Sequence, residues 1–180
     1  VKPTDLLTAD MDNDGDVDVF IGRTLVSSLY LSNEDGKFVD RSNQFPSGAL
    51  PHFVSSVSSA DVNSDGLLDV YFGTYAAQLI GDVHDPNFKP ENKEFLRGYM
   101  PDQYLDSLAQ LVLSQDAHRF LSRYGPPNEL LLNLGNGRFK PAGEALSAQA
   151  YRNTYQATWN DFDDDGDPDI YLANDFACLL

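Results

Sequence analysis

Cysteine and basic residues are scarce in this sequence, and long apolar runs are missing. The single cysteine, Cys178, cannot form an internal disulfide, so no disulfide framework holds the fold. Lys and Arg total 12 against 28 acidic residues, and the net charge of −16 argues against nucleic acid or an anionic membrane as a partner. No apolar run approaches the length of a transmembrane helix, which predicts no membrane insertion, and the first residues lack the pattern of a signal peptide.

The acidic residues are concentrated locally. Half of the 28 fall in three nine-residue windows, 10–18, 61–69 and 161–169. Each window follows the pattern Asp-x-Asp-x-Asp-Gly-x-x-Asp, with Asn63 in place of the second Asp in the middle window. Recurrence of one pattern with similar flanking residues indicates an internal structural repeat.

Strand-forming segments flank each window. The apolar segments that precede the windows are 6–9, 57–60 and 157–159. The β-prone runs that follow them are 17–22, 68–73 and 170–173. In two units a second pair of strands follows, joined by Asp35-Gly36 or Asn136-Gly137, which favour the positive φ of tight hairpin turns. Four strands in roughly 50 residues match one propeller blade. The predicted fold class is therefore all-β, with about two and a half four-stranded blades of an incomplete β-propeller.

The spacing of the windows predicts the domain boundaries. Blade 1 is expected at 1–50, blade 2 at 51–75 and 128–150, and the first half of blade 3 at 151–180. Residues 76–127 lack the strand pattern and carry apolar residues at helical spacing, so they are interpreted as a mostly helical insertion in blade 2. Because a closed propeller needs about 4–8 blades, we expect the chain to be a fragment of a longer propeller.

The acidic windows have the composition of calcium loops. Side-chain oxygens at positions 1, 3, 5 and 9 and the backbone carbonyl at position 7 form an oxygen shell, while Gly at position 6 permits the sharp turn. Five carboxylates in one short loop would repel each other strongly without a cation. The predicted ligands of about three Ca²⁺ are Asp10, Asp12, Asp14, Asp16, Asp18, Asp61, Asn63, Asp65, Leu67, Asp69, Asp161, Asp163, Asp165, Asp167 and Asp169.

Other metal sites fit the windows less well. An EF-hand needs a bidentate Glu at position 12, where this chain has Ile21, Phe72 and Leu172. Zinc is disfavoured because no His or Cys lies in the windows, and Mg²⁺ because it demands strict octahedral geometry. The second loop, with Asn63 and Leu67, carries less charge and is expected to bind Ca²⁺ more weakly.

The three loops and the hairpin around 132–139 resemble the FG-GAP/VCBS-type repeat found in the calcium-binding blades of integrin α-subunit propellers. The segment 171–176 is similar to bacterial repeat proteins with an UnbV-type C-terminal domain and to cartilage acidic protein. This resemblance implies a calcium-binding β-propeller that is extracellular, periplasmic or at the cell surface.

Two classes of function remain open. The first is an interaction or adhesion scaffold with structural Ca²⁺, which binds a protein or glycan through the face opposite the loops or through residues 76–127. The second is an enzyme subunit or glycan-binding protein whose insertion shapes a pocket over the blades. Separately, the insertion could contact a neighbouring subunit. No catalytic residue is assigned, because His52, His84 and His118 are isolated and no nucleophile, phosphate-loop or zinc motif occurs.

Overall fold

The fold consists of antiparallel β-sheets. The computed structural model describes residues 3–24, 26–45, 50–75, 127–142 and 153–175. Sheet 1 contains β1 (Pro3–Ala9), β2 (Asp18–Arg23), β3 (Leu29–Glu34) and β4 (Lys37–Asp40), in that order. Sheet 2 contains β5 (Val54–Ala60), β6 (Asp69–Thr74), β7 (Glu129–Asn133) and β8 (Phe139–Pro141). Sheet 3 pairs β9 (Asn153–Asn160) with β10 (Asp169–Asp175), and a 3₁₀ turn spans Ser42–Gln44.

Burial along the second strands shows how the sheets are layered. In β2, buried residues alternate with half-buried ones, as expected for a strand with one covered face. In β6 all six residues are buried, because sheet 2 lies between sheets 1 and 3 and both of its faces are covered. Sheet 2 is therefore the middle layer of the described structure.

Aromatic side chains fill the space between sheets 1 and 2. Phe20 stacks on Tyr30 with ring centroids 4.6 Å apart, and Phe45 stacks on Phe139 at 5.0 Å. Phe72 meets Phe20 edge-on from sheet 2. Each such pair contributes about 0.5–1.5 kcal/mol beyond its buried area. A smaller cluster, built on Tyr71, Leu130, Ala157, Trp159, Ile170 and Leu172, joins sheet 2 to sheet 3.

Hydrogen bonds align the first strands of adjacent sheets. Thr4 Oγ1 of β1 donates to the Val54 carbonyl of β5 at 2.6 Å, and the Val57 amide donates to Asp5 Oδ2 at 2.8 Å. Trp159 Nε1 of β9 donates to Ser58 Oγ of β5 at 3.1 Å. The three first strands consequently lie side by side, and the loops that leave them are at the same end of the sheets.

Within the described residues, the predicted all-β fold is confirmed as three antiparallel sheets, none of which closes on itself. Except for Pro127, the predicted helical insertion at 76–127 lies outside the described residues, which give it no support. The blade boundaries stay predictions. Within the described ranges, no helix has the length and hydropathy needed to cross a membrane.

Candidate metal centres in three acidic loops

The three acidic windows form loops with one shared backbone conformation. They connect β1 to β2, β5 to β6, and β9 to β10, and are called loops 1, 2 and 3. Positive φ occurs at positions 4 and 6 of each loop, at Asn13, Ser64, Asp164, Gly15, Gly66 and Gly166. The glycines have φ of 85–97°, and a Cβ added to any of them would meet no atom within 4 Å. The backbone angle, rather than lack of space, therefore requires glycine at position 6.

The position-1 aspartates organise each loop from within. Asp10 accepts the Asp14 amide at 3.2 Å through Oδ1 and the Gly15 amide at 3.0 Å through Oδ2. Asp61 and Asp161 accept the equivalent amides at 2.8–3.1 Å. Side-chain oxygens that accept nearby backbone amides are the usual means by which Asp stabilises a turn. Each loop is thus wrapped around its first carboxylate.

The position-9 aspartates tie the loops to the sheets. Asp18 has 1% of its surface exposed and accepts from the Met11 amide at 3.0 Å, the Tyr30 hydroxyl at 3.0 Å and the Asn33 amide at 2.8 Å. These donors stabilise a carboxylate that burial would otherwise destabilise. Burial raises the pKa of the Tyr30 hydroxyl, and the adjacent Asp18 carboxylate raises it further.

Loops 2 and 3 close in a related way. Asp69 is fully buried and accepts from the Val62 amide at 3.1 Å and the Asn133 amide at 2.7 Å. Burial raises the pKa of Asp69, although these two amides oppose the increase. Asp169 is half-buried and accepts the Phe162 amide at 2.9 Å.

Asp12 has an unsatisfied oxygen. Its Oδ1 is buried and has no hydrogen-bond partner, whereas Oδ2 accepts from Ser32 Oγ at 3.4 Å. Burial raises the pKa of Asp12, and the charges of Asp18 and Asp14 raise it further, while the nearby backbone amide of Asp14 opposes part of the increase. A buried carboxylate oxygen without a donor is costly, and a bound cation would remove that cost. The donor set in loop 1 therefore fits a metal ion.

The carboxylates converge in loops 1 and 3. One oxygen each from Asp10, Asp12 and Asp18 lies within 4.8 Å of the others, and Asp161, Asp163 and Asp169 form an equivalent group. Oxygens on opposite sides of a Ca²⁺ ion are about 5 Å apart at bond lengths of ~2.3–2.6 Å, so this spacing suits Ca²⁺. Within the described residues, the other predicted ligands lie outside these two groups: Asp14, Asp16, Asp61, Asn63, Asp65, Leu67, Asp69, Asp165 and Asp167.

These remaining residues have identifiable positions. The Asp14, Asp65 and Asp165 carboxylates accept the amide two residues ahead at 2.8–2.9 Å, at the exposed turn of each loop. Asn63 accepts the Asp65 amide at 3.1 Å. Asp16 Oδ2 instead accepts the Asp35 amide at 3.2 Å in the β3–β4 turn, which leaves its backbone carbonyl as its predicted contribution to the shell.

Sequence reasoning missed Tyr30, Asn33 and Asn133. Tyr30 and Asn33 donate to Asp18, and the Asn133 amide donates to Asp69. The sequence pattern that could have indicated the two asparagines is their shared position. Asn33 lies near the end of β3 and Asn133 at the end of β7, each shortly before a hairpin turn. Their side-chain oxygens also accept turn amides, those of Gly36 and Gly135, at 2.9 Å.

A polar cavity of about 250 Å³ adjoins loop 1 between sheets 1 and 2. Loop 1 lines it with Asp12, sheet 1 with Tyr30, and the β7–β8 turn with Asn136 and Gly137. The Glu34–Arg41 ion pair lies at the same cavity. Its lining offers both hydrogen-bond donors and acceptors to a small polar molecule.

Comparison with known proteins identifies the repeat. A family model described as FG-GAP-like repeat matches the chain twice, over residues 10–72 and 105–172. The matches contain all three loops, and the second reaches back into the segment predicted as an insertion. Among curated proteins, none matches this chain. Because the two matches cover well over half of its length, the chain belongs to the FG-GAP-like repeat family.

Proposed function

We propose that the chain is a calcium-binding β-propeller module that acts as an interaction or adhesion scaffold outside the cytoplasm. Membership of the FG-GAP-like repeat family supports a β-propeller-like repeat. The stacking of sheets 1, 2 and 3 with adjacent first strands supports their assignment as successive blades. Each loop holds one Ca²⁺, and the ions serve the fold rather than catalysis.

The observation that carries this proposal is the buried, unpartnered Oδ1 of Asp12 within a group of converging carboxylates. Side chains at positions 1, 3, 5 and 9 and the carbonyl at position 7 hold the ion in each loop. Repetition of the same turn hydrogen bonds in loops 2 and 3 supports equivalent sites there. Loop 2 binds more weakly, because Asn63 and Leu67 reduce its charge.

Bound calcium has a large effect on stability in this proposal. A ligand present at a hundred times its Kd stabilises the folded state by about 2.7 kcal/mol per site. Three such sites would supply a large share of a typical unfolding free energy of ~5–15 kcal/mol. The need for free calcium well above cytosolic levels is the reason for proposing an extracellular, periplasmic or cell-surface location.

Thermal unfolding tests the structural role of calcium. The chain is dialysed against chelator and then against millimolar Ca²⁺ or Mg²⁺, and the unfolding temperature is measured in each condition. We expect a large increase with Ca²⁺ and a much smaller one with Mg²⁺, because Mg²⁺ requires octahedral geometry and retains its waters. Equal unfolding temperatures in all three conditions would contradict the proposal.

The polar cavity beside loop 1 favours a second candidate function, the binding of a glycan. Its polar lining offers hydrogen-bond donors and acceptors to the hydroxyl groups of a sugar. NMR titration with monosaccharides in calcium would then shift the Asn136 and Gly137 amides at the cavity. Unchanged amide signals there would leave a protein partner, bound by another face or by residues 76–127, as the ligand to test.

A further inference from the structure

Asn133 connects loop 1 to loop 2 across the boundary between two sheets. Its side chain is buried, with 1% of the residue exposed. Nδ2 donates to the Met11 carbonyl at 2.7 Å and to the Leu68 carbonyl at 3.0 Å. Met11 is the second residue of loop 1, and Leu68 is the eighth residue of loop 2. A single amide group therefore holds the backbone of both loops.

The other groups of Asn133 are also hydrogen-bonded. Its backbone amide donates to Asp69 Oδ1 at 2.7 Å, and its Oδ1 accepts the Gly135 amide at 2.9 Å. The side chain thus has little freedom to turn away from either loop. The amide that holds Met11 is therefore also bonded to the Leu68–Asp69 segment of loop 2.

Met11 lies between two of the predicted ligands in loop 1. Its side chain is buried in the core between sheets 1 and 2, with 1% of the residue exposed. Its amide donates to Asp18 Oδ2 at 3.0 Å, while its carbonyl accepts from Asn133. The peptide segment that joins Asp10 to Asp12 is therefore positioned partly by sheet 2.

We propose that Asn133 couples the first two calcium sites, so that an ion in either loop strengthens binding at the other. This inference rests on the proposed calcium binding. An ion in loop 2 orders the backbone around Leu68 and Asp69, and Asn133 then holds Met11 in place. Loop 1 loses less conformational freedom when it binds, which produces positive cooperativity without a change of fold. The coupling is reciprocal, and such factors are typically ~5- to 150-fold.

Loop 3 provides an internal control. Its second residue, Phe162, is 57% exposed, and within the described residues no side chain donates to its carbonyl. We therefore expect the affinity of loop 3 to be independent of loop 1. Asn33 provides a matched control residue, because its amide donates to Asp18 and its Oδ1 accepts a turn amide, two of the local bonds that Asn133 makes in sheet 2. In the part of the chain that the structure describes, it makes no bond to another sheet.

The test follows each loop separately. A chain labelled with ¹⁵N-glycine is titrated with Ca²⁺, and the Gly15, Gly66 and Gly166 amides report loops 1, 2 and 3. Asp65→Ala disables loop 2, and we expect it to weaken binding at loop 1 by at least about fivefold. Asp14→Ala should weaken loop 2 by the same factor and should leave loop 3 unchanged.

The Asn133→Ala background identifies the residue that carries the coupling. There, disabling loop 2 should leave loop 1 unchanged, whereas in the Asn33→Ala background the coupling should persist. Three loops that bind Ca²⁺ independently in the parent chain would overturn the inference and leave the proposed function intact. Coupling that persists in Asn133→Ala would also overturn it, whereas a chain that binds no Ca²⁺ would overturn the proposed function first. The reciprocal test keeps Asn133, so independent binding of loops 1 and 2 there overturns the inference even if Asn133→Ala does not fold.

Discussion

Removal of one exposed carboxylate from loop 1 and one from loop 3 separates a metal site from an ordinary acidic turn. In the double variant Asp14→Ala and Asp165→Ala, each loop loses its position-5 side chain. These carboxylates accept the Asp16 and Asp167 amides at 2.8 and 2.9 Å and lie at the exposed turns. The core between the sheets is not altered by either change.

The expected loss of stability is much larger in calcium than in chelator. In chelator, the loss of two exposed hydrogen bonds costs about 0.5–1.5 kcal/mol each. The removal of two negative charges from crowded loops offsets part of this cost. In Ca²⁺ at a hundred times Kd, two abolished sites remove about 5 kcal/mol of stabilisation. For a chain of this size that corresponds to a fall of about 10–20 °C in unfolding temperature.

Thermal unfolding followed by circular dichroism measures both effects. Asp164→Asn is the matched control, because it removes a negative charge from loop 3 at a position that supplies no predicted ligand. Position 164 has φ of 61°, a conformation that Asn accepts and that Asn13 adopts in loop 1 at φ of 62°. If the double variant lost equal stability in calcium and in chelator, the loops would be simple turns and not metal sites.

Three further outcomes are expected. Tyr30→Phe removes a hydroxyl that donates to the buried Asp18 carboxylate at 3.0 Å, and it should lower the unfolding free energy by about 1.5–3 kcal/mol in urea titrations. An unchanged unfolding free energy would rule out a contribution from that hydrogen bond. Gly22→Ala places a Cβ 2.7 Å from Val54 Cγ1 and should cost about 1–3 kcal/mol in the same assay, so a neutral result would contradict the close packing of sheets 1 and 2. Because the pKa of Asp12 is raised in the folded, calcium-free chain, its protonation favours folding, and stability in chelator should rise as the pH falls through that raised pKa towards the ordinary value of 3.8. In calcium, stability should instead fall as the pH falls, because protons displace the ion. Comparison with Asp12→Asn at each pH isolates the contribution of this group, and parallel pH profiles for the two chains would contradict the prediction.

Much of the fold could be predicted from local sequence patterns. The segments that flank the acidic windows form strands, and Asp35-Gly36 forms the predicted tight turn with φ of 53° and 81°. These features depend on alternating burial and on residues that accept positive φ, both of which are local properties of the chain. The ends of the strands differ from the predicted ends by a few residues, most clearly at Val54 and Asn153.

The hydrogen bonds around the candidate sites could not be predicted in this way. The contact between Asn133 and Met11 joins residues 122 positions apart, and it depends on how sheet 2 packs against sheet 1. Similarly, the pattern of acidic residues does not distinguish the buried Asp18 and Asp69 from the exposed Asp14. Burial follows from the position of each residue relative to the neighbouring strands, which a periodic pattern within one loop does not specify.

Direct measurement of bound calcium tests the central claim most simply. The chain is equilibrated by dialysis against Ca²⁺ at micromolar to millimolar concentrations, and the bound metal is quantified by elemental analysis. We expect about three Ca²⁺ per chain, and about two after Asp165→Ala, since each loop offers one oxygen shell. The absence of bound calcium at millimolar concentration, or an unchanged stoichiometry in that variant, would contradict the central claim.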